Sequence, residues 1–202
     1  LGVDQPPTVI DAMLVHDPLA VKPTLAAGGI LEGLERARQR GHVRFLGYGM
    51  NPHEFHLAVI ASGRTEVMLT FGDNNLLRTS VGERLLPAAA QADMGVLNGW
   101  SIMRGYLTGT PVVEFVPRER WHEDHERADA MRQWCEERDL SLLQVALQFC
   151  IRDERIHGNP LGNLNAAQLE MNVAAAASPL PRKVIDEFVA AGVFKFVLRP
   201  IG

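Results

Sequence analysis

The chain has 202 residues, a formal charge of −4 and 47% hydrophobic residues, the balance of one soluble globular domain with apolar material for a sizeable core. No basic face stands out, which argues against nucleic acid as a partner. No apolar run approaches the roughly 18 residues of a membrane span, and no charged-then-apolar signal region opens the chain. Cys135 and Cys150 are the two cysteines; without a CxxC or Cys/His metal spacing they read as thiols of a reduced, cytoplasmic protein. The chain opens Leu1-Gly2-Val3-Asp4 without methionine, as expected of a start within a longer frame, of processing, or of an incomplete sequence.

The elements alternate. Ile10 to Val15 is a short apolar run ending at His16-Asp17-Pro18, which predicts a buried strand. From Gly29 to Arg40, Ile30, Leu31, Leu34 and Ala37 recur at helical spacing, and Gly41 supplies a stop. Val43 to Tyr48 predicts the second strand. Asn51-Pro52 then begins a helix through Ser62, with proline at the tolerated first position. Glu66 to Phe71 predicts a third strand, followed by the turn Gly72-Asp73-Asn74-Asn75, a helix over about 81–92 and a fourth strand from Gly95 to Gly99. Trp100 to His122 reads as a long active-face loop or an insertion. Helices over about 123–138 and 141–151 follow. Arg155 to Leu161 predicts a fifth strand, although Pro160 cannot donate to a ladder. Asn165-Ala-Ala-Gln168 resembles a capping box for a helix to about Ala177, and Pro181 to Ala191 predicts the last helix.

Strands alternating with helices point to parallel βαβ units. Five units do not close an eight-stranded barrel, which takes about 250 residues. An open doubly wound sheet fits the count equally well. In both architectures the C-terminal strand ends form the functional face, and here they are polar and glycine-rich: His16-Asp17, Gly49-Met50-Asn51, Gly72 to Asn75, Asn98 to Ser101, and Gly162-Asn163. No Rossmann or Walker glycine pattern and no Gly-x-Ser-x-Gly elbow occurs.

His16 is the best single candidate for chemistry, since an imidazole at a strand end can hydrogen-bond a carbonyl or shuttle a proton near neutral pH. The alternative is a histidine satisfied by backbone. His122 and His125, three apart beside Glu123, Asp124 and Glu126, have a spacing that could hold a metal; a solvated, charged helix start is the commoner reading, and no metal is expected. Trp100 either stacks on a ligand or covers the rim.

These residues resemble the aldo-keto reductases, in particular their aldose and galactose dehydrogenase branch. Ile10 to Pro18 resembles a fourth strand ending His-Asp-Pro. Gly33 to Arg38, then Gly41 to Asn51, resembles a leader helix, a glycine and a strand ending Gly-x-Gly-x-Asn. Gly95 to Asn98 through Gly105-Tyr106-Leu107-Thr108-Gly109 resembles the seventh strand and its cofactor loop, and Gly162-x-x-Asn165-x-x-Gln168-Leu169-x-x-Asn172 the last cofactor motif.

The resemblance implies an incomplete α/β (β/α)8 barrel, a single domain over residues 1–202 comprising about strands four to eight and lacking the N-terminal strands. It implies an NAD(P)-dependent oxidoreductase acting on an aldose or aldehyde carbonyl. His16 matches the catalytic histidine; Gly49, Met50 and Asn51 the nicotinamide end; Trp100, Ser101, Ile102 and Arg104 the pyrophosphate loop; Gly162, Asn165, Gln168 and Asn172 the adenosine end. Asp17, Trp100 and Asn74 are candidates for a sugar substrate. Gly162 and Leu164 stand where relatives often present groups to a 2′-phosphate, so NAD is expected over NADP.

Nothing in the chain matches the family's catalytic tyrosine, lysine and aspartate, and Tyr48 and Tyr106 lie outside that motif. The oxidoreductase reading therefore expects those groups from another segment or chain. Two alternatives stand beside it: an inactive relative, an interaction module or truncated remnant, and a non-redox barrel enzyme lacking an evident base. Open sheet edges predict self-association or a covering partner.

Overall fold

Glycine and polar breaks punctuate the apolar runs, and four of the five predicted runs become strands: β1 (Ile10–His16), β2 (Val43–Gly49), β3 (Val67–Phe71) and β4 (Gly95–Gly99). They belong to a computed structural model that describes residues 9–109 and 122–191. The strands lie in the order β1-β2-β3-β4. β1 pairs with β2 and β2 with β3 in parallel, so that Leu14 faces Gly47, His16 faces Gly49 and Gly47 faces Val67. The helices are α1 (Val21–Leu25), α2 (Ile30–Gln39), α3 (His53–Ser62), α4 (Val81–Gln91), α5 (His122–Glu136), α6 (Leu142–Ile151), α7 (Ala166–Ala177) and α8 (Arg182–Ala190), with a 3-10 turn at Met103–Gly105.

The chain divides into two compact units, one comprising residues 1–70 and 82–97, the other 71–81 and 98–202. In the first, the apolar stripe of α2 sets Leu31 on Val43 and Leu46, with Leu25, Leu34 and Ala37 around them. The strand preceding β3 is held by Glu66, whose carboxylate accepts from the Leu46 amide at 2.9 Å and from Arg38 at 2.6 Å. Arg64 forms a two-pronged bond to Glu35 at 2.9 and 2.8 Å and reaches the Leu25 carbonyl at 2.6 Å. That fork fixes α2 against the turn after α3.

In the second unit α6 is buried on nearly every face, through Leu142, Leu143, Val145, Ala146, Leu147 and Cys150, as an element at the centre of a core must be. Around it gather Leu76, Leu77, Leu107, Met131 and Phe188. Trp134 meets Phe188 edge-on with ring centroids 5.0 Å apart. Gln148 donates to the Ala176 carbonyl at 2.7 Å and ties α6 to α7.

Three expectations are corrected and one element is new. β1 is not a buried strand: Ile10 and Met13 are 44% and 42% exposed, because β1 ends the strand order and pairs only with β2 among the described residues. Residues 155–161 do not form a fifth strand. A single ladder-like bond remains, from the Asn98 amide to the Gly158 carbonyl at 2.9 Å, and Pro160 withholds the donor that would extend it. The helix start at His122 is not simply solvated, since Asp124 and His125 are buried. Asp124 is ion-paired with Arg78, and the His125 ring packs 4.6 Å from Tyr106. Finally, α1 lies where no element was predicted, a five-residue helix containing Pro23.

Candidate functional site

In the first unit the parallel register brings two predicted pieces together. His16, the last residue of β1, stands beside Gly49, and the Asp17 amide donates to the Gly49 carbonyl at 2.8 Å. Asp17 takes a left-handed φ of 39°, uncommon without glycine, and its carboxylate lies 3.4 Å from His16 Nδ1. The imidazole is 91% exposed. An acidic neighbour at Nδ1 orients the ring and leaves Nε2 for another partner.

Met50 and Asn51, by contrast, are buried. The Met50 amide donates to the Leu69 carbonyl at 3.0 Å. His56, fully buried in the first turn of α3, has Nε2 2.9 Å from the Met50 carbonyl, so that nitrogen carries the proton. Tyr48 donates from its hydroxyl to the His56 carbonyl at 3.2 Å. The strand end is thus braced on the following helix by the His56 side chain and by the strand's own Tyr48.

In the second unit the loop after β4 runs through left-handed residues: Trp100, Met103 and Arg104 have φ of 58°, 43° and 56°. Trp100 packs on Phe71 with centroids 4.9 Å apart, and the exposed Arg104 guanidinium lies 4.6 Å from the Trp100 ring. Ser101 is wholly buried and its hydroxyl is engaged with Asn159 and the Asn98 carbonyl; Ile102 packs on the core. Of the four loop residues, Trp100 and Arg104 can therefore meet a ligand directly, while Ser101 and Ile102 shape the loop from beneath.

The helix α7 starts as the sequence predicts. Asn165 accepts from the Gln168 amide at 2.9 Å, Gln168 accepts from the Leu164 amide at 2.8 Å, and Asn172 donates to Asn163 at 2.7 Å. Gly162, Asn165 and Gln168 are exposed and Asn172 is buried. Leu164 is 92% exposed, and no lysine or arginine occurs from Ile156 to Pro181.

Among the described residues no group of three His, Cys, Asp or Glu is placed to hold a metal, and no helix is long and apolar enough to cross a membrane. Phe115 and Trp121, in the predicted active-face loop, lie outside the described residues. A cavity of about 850 Å³ in the second unit is lined by Asn74, Phe149, Arg152, Arg155 and Ile185 among others. Of the predicted site residues it includes only Asn74. Arg155 is committed to Asp153 and Arg152 to the Leu180 carbonyl. Asn159 escaped the sequence reading, because it lies inside a run that resembled a strand.

The comparisons with known proteins agree with one another. The aldo/keto reductase family model matches residues 7–192. A D-threo-aldose 1-dehydrogenase of Pseudomonas sp is 24% identical over 198 residues, covering 95% of this chain and 58% of that protein. An aldo-keto reductase of Bacillus halodurans, in its holo form, superposes with a TM-score of 0.71 at 19% identity, over 91% of this chain and 61% of its own. The glycerol dehydrogenase of Gluconobacter oxydans gives 0.66 at 19% identity, over 96% and 62%. The chain thus spans about three-fifths of the length of these relatives. Its fold is the α/β fold of the (β/α)8 aldo-keto reductases, with four parallel strands among the described residues. With the family model matched along nearly its whole length, the chain belongs to the aldo/keto reductase family.

Proposed function

We propose that this chain serves an NAD(P)-dependent oxidoreductase that moves hydride between a nicotinamide and the carbonyl of an aldose or aldehyde. The observation that carries this is the placement of His16 beside Gly49 at the strand ends of the first unit, within a sequence matched by the family model. The D-threo-aldose dehydrogenase relative supports a sugar-like substrate. In this reading His16 binds the carbonyl oxygen, Asp17 orients the ring, and the strand end Gly49-Met50-Asn51 holds the nicotinamide carboxamide through Asn51, with Met50 fixed beneath it by Leu69 and His56.

The donor set of the second unit fits a dinucleotide. Arg104 offers an exposed cation to a phosphate, and the capped start of α7 offers the exposed Asn165 and Gln168, at the positive end of the helix, to the adenosine end. The bound cofactor supplies the hydride; the protein supplies position and charge. The preferred cofactor is NAD, since a 2′-phosphate would find no lysine or arginine from Ile156 to Pro181. Comparable affinity for NADH and NADPH would sink that preference.

Neither tyrosine is suited to protonating a substrate. Tyr48 and Tyr106 are 1% and 4% exposed, and burial pushes both hydroxyls above their ordinary pKa. The proposal therefore assigns the proton donor to a group outside these 202 residues. Titration of NADH and NADPH into the chain, followed by tryptophan fluorescence, tests the cofactor reading. Saturable quenching that Trp100→Phe abolishes is expected. No saturation by either cofactor removes the oxidoreductase assignment in favour of an interaction module.

A second reading concerns partners. Val9, Ile10, Met13 and Phe45 are 40–44% exposed, on or beside a strand with an unpaired edge among the described residues. Such an edge invites another strand. Self-association through β1 is expected, and Met13→Lys should weaken it. A monodisperse monomer in light scattering at high concentration would refute it.

A further inference from the structure

Three asparagines far apart in the sequence meet beneath the β4 loop. The Asn98 side chain, fully buried at the end of β4, donates the two hydrogens of Nδ2 to the Asn74 carbonyl and to Asn159 Oδ1, both at 2.9 Å, and Nδ2 lies 3.2 Å from Ser101 Oγ. Ser101 Oγ lies 2.9 Å from Asn159 Oδ1 as well. The Asn98 amide holds the Gly158 carbonyl, and the Cys150 thiol closes the cluster on the Asn74 carbonyl at 3.4 Å. One atom, Asn159 Oδ1, thus accepts from both Asn98 and Ser101, and a buried oxygen with two donors is a strong anchor.

The anchor joins the two segments that carry the dinucleotide candidates of this unit. Ser101 is followed by Ile102, Met103 and Arg104, and Asn159 lies three residues before Gly162. Non-glycine residues at positive φ persist only where their surroundings over-determine them, and Trp100, Met103 and Arg104 flank the one loop hydroxyl that this cluster fixes. We infer that Asn159, through Oδ1, is a positioning residue for dinucleotide binding, holding the Trp100–Arg104 loop in its ligand-ready form. The inference rests on the cofactor reading above. Asn159 itself touches no ligand; releasing it lets the loop relax, and the cofactor must then order it again on binding.

The test is calorimetric titration of NADH and NADPH into the chain, with thermal denaturation alongside. Asn159→Ala is expected to raise Kd about tenfold, the net worth of a hydrogen bond lost from a buried cluster. Asn159→Asp, which keeps the acceptor, is expected to restore binding to near the parent value. Phe188→Leu, a core change in the same unit, should lower the melting temperature and leave Kd unchanged. Ser101→Ala removes one donor with the smallest change of shape; it should weaken binding in the same direction and serves if Asn159→Ala does not fold. If the parent chain binds and Asn159→Ala binds equally well, the inference is overturned and the cofactor reading stands. It is equally overturned if Asn159→Asp fails to restore binding, or if Phe188→Leu weakens it as much. If the parent chain binds neither cofactor, both fall together.

Discussion

Gly47 is wedged between two neighbours, and replacing it tests the strand register directly. It lies in β2 opposite Leu14 of β1 and Val67 of β3. A Cβ added there would stand 2.4 Å from the Val67 carbonyl oxygen and 3.0 Å from Leu14 Cγ. The first contact is about 1 Å short of the ~3.3 Å at which carbon and carbonyl oxygen ordinarily approach. Backbone cannot swing aside as a side chain does, so β2 must move off β3. Gly49, two residues on, is the control: its added Cβ would meet Leu69 Cβ at 3.5 Å and the Leu69 carbonyl oxygen at 3.8 Å, ordinary contacts. Both substitutions to alanine restrict the unfolded chain alike, a gain of about 0.4–1 kcal/mol. That gain cancels between them, and the gap reads the clash alone, roughly 1–3 kcal/mol. For a chain of this size the middle of that range is about 4–8 °C in melting temperature. Thermal denaturation followed by circular dichroism should place Gly47→Ala below Gly49→Ala by that amount. Equal melting temperatures would refute the β2–β3 register.

Burial pushes the Cys135 and Cys150 thiols up to about 11 and about 12, so neither should react with Ellman's reagent at pH 8 until denaturant is added; rapid reaction of one native thiol would contradict this packing. The Arg64 guanidinium holds the Glu35 carboxyl below its ordinary 4.5. A carboxyl depressed by folding stabilises fully above its unfolded pKa and loses that contribution as pH falls through the folded value. Glu35→Gln should therefore lower the melting temperature at pH 7, with the difference narrowing towards pH 3; a difference constant over that interval would refute the pairing. Asn165→Ala removes the cap on α7 and should cost about 1 kcal/mol. Asn165→Asp keeps the cap, so its melting temperature should match the parent, while its added charge weakens binding of NADH; unchanged affinity would move the dinucleotide away from this helix end.

What the sequence revealed, and what it hid, follows the range of the forces involved. The cap at Asn165, the strand from Gly95 to Gly99 and the helix starts are set by residues within a few positions of each other, and the structure puts them within a residue or two of expectation. The adjacency of His16 and Gly49 also follows, once the strands are read as parallel neighbours. Burial is different. Ile10 to Val15 looks like a buried strand because its residues are apolar, yet exposure depends on what lies along its far edge. Asp124 looks like a solvated helix start because its partner Arg78 is 46 residues away. Residues 155–161 look like a strand by composition, and the proline that limits their ladder is visible, but its effect depends on the facing residues.

The same distinction divides the loop after β4. By resemblance, Trp100, Ser101, Ile102 and Arg104 form one cofactor-facing group. In the structure Arg104 lies over Trp100, while Ser101 turns inward to Asn159 and Ile102 joins the core. A motif records which residue types a loop needs, and it does not say whether each is needed by the ligand or by the loop. Buried polar side chains with two or more partners belong to the second kind, because leaving any partner unmatched in a dry interior costs more than the bond contributes when made. Asn98 and Ser101 meet that description and Arg104 does not. If this face takes the dinucleotide as proposed, its affinity should depend on buried groups as well as exposed ones: substitutions at Ser101 or Asn159 should act through loop order, where those at Arg104 act through charge.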